Sequence, residues 1–260
     1  MRSVIYYFSG TGNSLAVAKK ISALLEPKAE IISIAHHFND IKVQTDAELV
    51  GFIFPVYMGD APWVVKEFVK KMHFEFTPYI YVAATCNNNP RMCLPIFQEL
   101  LNACSQRMAL SDIIVMPGSG KITSPQVNTE RLSKYAEKCR IIAQKVNHRA
   151  VDINSPHVDL SEKKVLGSPR KKLDIAFTHF KVCDACNGCG TCKRICPMGN
   201  VTLHKQKPTW GNRCAACLAC FHWCPQHAIT FRLPLLGNRP RYHHPDIKVK
   251  DIAAQQPSFL

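Results

Sequence analysis

The first 148 residues alternate short apolar runs with segments in which apolar side chains recur at helical spacing. Runs of strand type cover residues 2–8, 29–34, 49–54, 79–85 and 111–116. Helical spacing is kept by four groups: Val17, Ala18, Ile21, Leu24 and Leu25; Val65, Phe68, Val69 and Met72; Phe97, Leu100, Leu101, Cys104 and Met108; and Leu132, Tyr135, Ala136, Cys139, Ala143 and Val146. This alternation predicts an α/β fold with a doubly wound, five-stranded parallel sheet. Ligands bind such sheets at the carboxyl ends of the strands.

The rest of the chain lacks this alternation. The stretch after residue 148 contains Ser155-Pro156 and Gly167-Ser168-Pro169, which predict a connector without a core of its own. A cysteine-rich region follows, and a basic tail ends the chain. We therefore divide the chain into four segments, 1–148, 149–180, 181–231 and 232–260.

The cysteine-rich region repeats one pattern, C-x2-C-x2-C-x3-C-P, at an interval of 28 residues. This spacing holds [4Fe–4S] clusters in bacterial two-cluster proteins, where the fourth cysteine of each run ligates the other cluster. Zinc sites also use C-x2-C pairs but seldom show this even spacing, and disulfides need an oxidising compartment that nothing here indicates. The predicted ligands of cluster 1 are Cys186, Cys189, Cys192 and Cys224, and those of cluster 2 are Cys214, Cys217, Cys220 and Cys196.

The repeat extends beyond the ligands, because Val201-Thr202-Leu203 matches Ile229-Thr230-Phe231 at the same offset. Residues 181–231 thus resemble a bacterial 2[4Fe–4S] ferredoxin, which implies a small α+β domain. Cys183 forms an additional C-x2-C pair with Cys186, but the pattern is complete without it, so we expect it to be a bystander. Four other cysteines have no regular spacing, and we interpret three of them, Cys93, Cys104 and Cys139, as core residues.

A loop rich in glycine and hydroxyl groups follows the first predicted strand, Ser9-Gly10-Thr11-Gly12-Asn13-Ser14. Its backbone N–H groups, together with the start of the next helix, are suited to hold a phosphate. It has neither the Gly-Lys-Ser/Thr of a P-loop nor the G-x-G-x-x-G of dinucleotide sites. The loop resembles the phosphate loop of flavodoxins, and a plain strand-to-helix turn is the alternative.

Two later loops strengthen the resemblance to flavodoxins, which covers residues 1–148. One begins Pro55-Val56-Tyr57-Met58-Gly59, and the other, after Thr85, runs Cys86-Asn87-Asn88-Asn89-Pro90. Tyr57 and Trp63 are candidates to stack on a flavin ring, and for Trp63 we favour core packing. A position near the flavin is one role for Cys86, but we favour a buried structural thiol. The resemblance implies FMN bound by Ser9, Gly10, Thr11, Gly12, Asn13, Ser14, Pro55, Val56, Tyr57, Met58, Gly59, Thr85, Cys86, Asn87 and Asn88.

Charge and composition bound the partners and the location. No apolar run approaches the ~18 residues of a membrane span, and no signal peptide is evident, so we expect a cytoplasmic protein. The net charge of +14 is divided into +4 for residues 1–148 and +10 for the remainder. This excess favours steering toward an acidic redox protein. No nucleic-acid-binding motif supports the other interpretation of a basic chain.

The whole chain resembles anaerobe-type fusions of a flavodoxin-like domain with a two-cluster ferredoxin domain. The resemblance implies an electron-transfer protein that relays electrons between two [4Fe–4S] clusters and FMN. An FMN-dependent reductase of a small electrophile, fed by the clusters, is the alternative. A third possibility is a scaffold that binds no flavin. No catalytic residue can be named from the sequence.

Overall fold

A computed structural model describes residues 2–120, 123–152, 180–231 and 240–257. Its main element is a five-stranded parallel sheet with the strand order β2-β1-β3-β4-β5. The strands are β1 (Ser3–Tyr7), β2 (Glu30–Ser33), β3 (Leu49–Pro55), β4 (Tyr79–Cys86) and β5 (Met108–Val115). This is the order of the flavodoxin-like doubly wound fold, so the predicted fold class is confirmed.

Four helices cover the sheet: α1 (Asn13–Ser22), α2 (Trp63–Lys71), α3 (Cys93–Asn102) and α4 (Pro125–Asn147). The start of α4 has a local cause, since the Ser124 hydroxyl accepts a hydrogen bond from the Val127 amide and Pro125 occupies the first turn. Central strands β1 and β3 are buried along almost their whole length. Their continuous apolar runs are typical of a parallel sheet covered on both faces.

Three of the predicted helices are too long. Leu24 and Leu25 lie beyond α1, which ends at Ser22. Met72 and Met108 continue the apolar spacing of the helices before them, but α2 ends at Lys71 and α3 at Asn102. Met72 instead begins a short strand, Met72–Phe74, that pairs with Val43–Thr45. Met108 begins β5, where it pairs with Ile80. Strand pairing begins directly where α2 ends, whereas α3 ends in a turn that contains Ser105 at a φ of 57°, before β5 begins.

The cysteine-rich region contains two small antiparallel pairs of strands. Val201–His204 pairs with Lys207–Trp210, and Ile229–Phe231 pairs with Phe180–Val182. The two matched segments of the sequence repeat are therefore both strands. Two short helices, Thr191–Arg194 and Ala219–His222, each contain the third predicted ligand of one run, Cys192 or Cys220.

A short helix, Val249–Ala253, lies near the end of the described part of the chain. Most of the predicted connector, including Ser155-Pro156 and Gly167-Ser168-Pro169, lies outside the described residues. Within the described ranges, no helix has the length and apolar character that crossing a bilayer requires.

Candidate cofactor sites

A cavity of about 510 Å³ lies at the carboxyl ends of β1, β3 and β4, where the three predicted loops meet. Its volume is within the usual range for small-molecule and cofactor sites. Twelve of the fifteen residues predicted to bind FMN line it: Ser9, Gly10, Thr11, Asn13, Ser14, Pro55, Val56, Tyr57, Met58, Thr85, Cys86 and Asn87. The other three, Gly12, Gly59 and Asn88, do not.

The two glycines outside the cavity wall shape the loops instead. Gly12 has a φ of 95° and precedes α1, and its amide donates to the Ser9 hydroxyl at 3.2 Å. Gly59 has a φ of 86° in the turn that brings the backbone of Tyr57 against that of Asp60. Both conformations favour glycine over any residue with a side chain.

The loops around the cavity are joined by side-chain hydrogen bonds. The hydroxyls of Ser14 and Thr85 lie 2.9 Å apart, which connects the first loop to the end of β4. The Asn13 amide donates to the Pro117 carbonyl at 2.8 Å, and Arg131 donates to Asn87. These bonds hold the lining residues in place before any ligand binds, which lowers the ordering cost of binding.

Sequence reasoning missed two parts of the cavity wall. The first is the loop after β5, residues 116–120. The sequence contains a signal for it, because Pro117-Gly118-Ser119-Gly120 follows a predicted strand directly. The second is the pair Ala216 and Leu218, from between the predicted ligands of cluster 2. No local pattern reports that this segment folds back onto the sheet domain.

The eight cysteines predicted to be ligands surround two further cavities. One is walled by Cys186, Cys189, Cys192 and Cys224, and the other by Cys196, Cys214, Cys217 and Cys220. We call these the cluster 1 site and the cluster 2 site. Each brings together one of the predicted sets, with the fourth cysteine of each run crossing to the other site. Among the described residues, no three His, Cys, Asp or Glu side chains are grouped so that they could hold one metal ion.

The donor chemistry of the two sites fits an iron–sulfur cluster. Each cavity has four thiols in its wall, the number that a [4Fe–4S] cluster requires. Backbone amides point at the sulfurs, including that of Asn200 to Cys196 Sγ at 3.3 Å and that of Ala228 to Cys224 Sγ at 3.3 Å. Such hydrogen bonds stabilise thiolates and tune cluster potentials.

Burial opposes ionisation of these thiols when no cation is bound. It raises the pKa of Cys192 to about 11 and that of Cys220 well above its ordinary value, and neighbouring cysteines add to both shifts. A bound metal centre supplies the positive charge that reverses this balance. The cluster 1 site is the more open of the two, because Cys189 is exposed whereas Cys217 and Cys220 are buried.

The cluster 2 site packs directly against the 510 Å³ cavity. A Cβ atom at Gly10 would lie 2.2 Å from the Cys217 carbonyl oxygen, so only a glycine permits this approach of the two backbones. The indole of Trp223 donates to the Gly10 carbonyl at 3.0 Å, and that of Trp63 donates to the Cys214 carbonyl at 3.0 Å. Trp63 does not line the cavity and packs at the interface between the two regions.

Tyr57 lies between the cavity and the cluster 2 site. Burial raises the pKa of its phenol well above the ordinary value, and the nearby thiols of Cys217 and Cys214 add to the shift. Tyr57 is therefore a neutral, half-buried ring in the cavity wall. That this ring stacks on a flavin stays a prediction.

The remaining five cysteines differ in burial and position. Cys86 is buried and lines the cavity, and its thiol donates to the Asn88 carbonyl at 3.4 Å. Cys93 and Cys139 are buried in the core, whereas Cys104 is half-buried. Cys183 is exposed and lines neither cluster site.

Comparison with known protein families identifies both regions. A model of a flavodoxin domain matches residues 4–91, and a model of a 4Fe-4S dicluster domain matches residues 185–229. No curated protein matches the chain. The dicluster match contains all eight predicted ligands, and the flavodoxin match contains all three predicted loops.

Several solved structures are similar to part of the chain. An azoreductase from Bacillus anthracis is 11% identical with a TM-score of 0.42, and the match covers 56% of this chain and all of that one. A flavodoxin from Streptococcus pneumoniae is 13% identical with a TM-score of 0.32, covering 55% and 99%. A putative flavoprotein from Bacteroides uniformis is 13% identical with a TM-score of 0.35, covering 51% and 98%. These similarities are too remote to bear on function.

Proposed function

Because the chain joins a flavodoxin domain to a 4Fe-4S dicluster ferredoxin domain, we propose that it relays electrons between two [4Fe–4S] clusters and FMN within one molecule. Flavin and iron–sulfur electron transfer is the chemistry of these two kinds of domain. The observation that carries the proposal is the presence of Ala216 and Leu218, from the cluster 2 site, in the wall of the flavin cavity.

The lining of the cavity supports FMN as its ligand. The polar groups come from hydroxyls and amides, chiefly those of Ser9, Thr11, Asn13 and Ser14, and the loop ends at the start of the ten-residue helix α1. Backbone N–H groups and a helix start favour a phosphate without needing a basic side chain. A flavin with a terminal phosphate uses this loop, whereas riboflavin does not.

The packing supports an order for the relay. The cluster 2 site is buried against the flavin cavity, and the cluster 1 site lies farther out with an exposed cysteine in its wall. We therefore place the exchange of electrons with external proteins at the cluster 1 site. The cluster 2 site connects it to the flavin.

The charge around the cluster 1 site supports an acidic partner. Residues 181–231 contain six lysines and arginines but one carboxylate side chain, Asp184. Arg194 donates to the Cys189 carbonyl at 3.0 Å and Lys207 to the Cys186 carbonyl at 3.5 Å, so both lie at the edge of this site. An acidic redox protein would be steered to this edge, and the rate of electron exchange should fall as ionic strength rises.

A charge reversal in the phosphate loop tests the flavin assignment. Thr11 lines the cavity and is 6% exposed, so Thr11→Asp places a carboxylate against the proposed phosphate position. Like charges at this range disfavour each other by several kcal/mol at most, and we expect FMN affinity to fall by about 100-fold or more. Thr11→Ser retains the hydroxyl and is the control.

Fluorescence titration with FMN and with riboflavin separates the outcomes. The proposal predicts that Thr11→Asp weakens FMN binding far more than riboflavin binding, whereas Thr11→Ser changes neither by more than a few-fold. Equal FMN affinity in both variants would show that the loop does not hold the phosphate. If FMN-loaded protein reduced small electrophiles faster than it reduced proteins, the reductase alternative would replace the relay.

A further inference from the structure

Residues 241–256, near the carboxyl end of the chain, contact both cofactor regions. We call this segment the C-terminal strap. It contacts the phosphate loop through Tyr242, His244 and Gln255 and the cluster 2 site through Gln256. No family model covers it, and sequence reasoning treated it only as a basic tail.

Gln255 fixes the start of the phosphate loop. Its side chain is fully buried, its Oε1 accepts from the Ser9 amide at 3.0 Å, and its Nε2 donates to the Ser9 carbonyl at 3.0 Å. This side-chain amide therefore pairs with the backbone of Ser9 as a neighbouring strand would. The Gln255 carbonyl in turn accepts from the Ser33 hydroxyl at the end of β2.

Gln256, the next residue, binds the other domain. Its Nε2 donates to the Cys196 carbonyl at 3.0 Å and to the Lys193 carbonyl at 2.5 Å. Cys196 is the cysteine that crosses from the first run to the cluster 2 site. Two adjacent glutamines thus attach the first residue of the phosphate loop and a wall residue of the cluster 2 site to the same piece of backbone.

The other end of the strap reinforces the phosphate loop. The Tyr242 hydroxyl donates to Asn13 Oδ1 at 2.6 Å, and the Asn13 amide nitrogen donates to Pro117 across the cavity. The His244 amide donates to the Thr11 carbonyl at 2.8 Å. Three residues of a six-residue loop, Ser9, Thr11 and Asn13, therefore take hydrogen bonds from the strap.

We propose that the C-terminal strap is a positioning element of the relay, an inference that rests on the proposed function. Gln255 holds the phosphate loop in its anion-binding conformation, and Gln256 fixes the cluster 2 site relative to that loop. Because the two glutamines have separate roles, their substitutions have different effects. Loss of the Gln255 bonds weakens flavin binding, and loss of the Gln256 bonds slows transfer between the cluster 2 site and the flavin.

Substitutions of the two glutamines by leucine, in the full chain with clusters intact, test this division. Gln255→Leu removes both bonds to Ser9 and should raise the Kd for FMN by about tenfold or more, as expected for two buried hydrogen bonds. Gln256→Leu should leave that Kd within about twofold but slow cluster-to-flavin transfer by about tenfold, as docking of the two sites loosens. Gln126→Leu, at an exposed position of α4, is the matched control.

Hydrogen exchange supplies a readout that does not depend on electron transfer. Exchange at residues 9–14, followed by mass spectrometry without flavin, should be faster in Gln255→Leu and unchanged in Gln256→Leu. The milder Gln255→Asn retains the amide but shortens its reach, and it should show a smaller effect in the same direction if Gln255→Leu does not fold.

The outcomes distinguish the strap from the relay itself. If the wild-type protein binds FMN and transfers electrons internally, but both leucine variants match Gln126→Leu, the strap has no positioning role and the proposed function stands. If the two variants lose stability equally and change neither the Kd nor the rate, the strap is structural only, which also overturns the proposal. A wild-type protein that binds no FMN would refute both proposals.

Discussion

A methyl group at Gly10 is the smallest change that separates the two domains where they are expected to exchange electrons. The Cβ atom of Gly10→Ala would lie 2.2 Å from the Cys217 carbonyl oxygen and 3.0 Å from the Cys217 Cβ. Backbone atoms of Cys217 must then retreat by roughly 1 Å to restore ordinary contact. Gly10 is not among the glycines with positive φ, so alanine itself adopts this backbone conformation and the effect comes from the contact alone.

The cost of this displacement follows from the packing. Overpacking of a well-packed contact costs about 1–3 kcal/mol, and the neighbouring bond from Trp223 to the Gly10 carbonyl is weakened as well. If this cost of about 1–3 kcal/mol falls on the docked state alone, the ratio of docked to undocked molecules falls by about 5–150-fold. We expect flavin reduction by the clusters, followed by stopped-flow absorbance after rapid one-electron reduction, to slow by about tenfold or more.

A matched control separates docking from general destabilisation. Ile142→Val removes one methyl group from a buried position in the second half of α4, so it lowers stability by about 0.5–1.5 kcal/mol away from the interface. Both variants should melt at lower temperature, but only Gly10→Ala should slow internal transfer. Equal transfer rates in the two variants would show that the two domains do not depend on this contact.

Two further predictions concern single side chains. Trp223→Phe leaves the buried Gly10 carbonyl without its donor and should lower the free energy of unfolding by about 1–3 kcal/mol. Trp63→Phe removes the half-buried bond to the Cys214 carbonyl and should lower it by less. Urea unfolding of both variants tests this ranking, and an equal loss would contradict it. Burial raises the pKa of Tyr79 to about 12, and its hydroxyl donates to the Ala150 carbonyl. The unfolded chain therefore releases this proton first, and stability should fall between pH 10 and pH 12 by about 1–2 kcal/mol after allowance for partial exposure. Tyr79→Phe should lack this part of the decline, and an identical pH profile for the variant and the wild type would refute the assignment.

Local patterns were sufficient for the fold and for most of the candidate sites. The apolar runs predicted every strand of the main sheet, because strands buried on both faces must be continuously apolar. Helix ends were less well predicted, since Met72 and Met108 satisfy the helical spacing while their backbones pair with other strands. Tertiary pairing decides such boundaries, and a local pattern does not report it.

The site residues that sequence reasoning missed also depend on tertiary contacts. The loop Pro117–Gly120 follows a predicted strand and was recognisable by the same rule as the other three loops. By contrast, Ala216 and Leu218 line the 510 Å³ cavity because the cysteine-rich region packs against the sheet domain there, and Gln255 reaches Ser9 from 246 residues away. Contacts this distant in sequence have no local signature in one chain.

Internal electron transfer between the clusters and FMN can be followed in a single kinetic experiment. Anaerobic, FMN-loaded protein is mixed with less than one equivalent of a one-electron reductant, and the cluster and flavin absorbances are followed over a range of protein concentrations. If electrons pass within one molecule, cluster reduction precedes flavin reduction and the second step has a rate independent of protein concentration. A second step whose rate rises in proportion to protein concentration, or the absence of a flavin step, would contradict internal transfer.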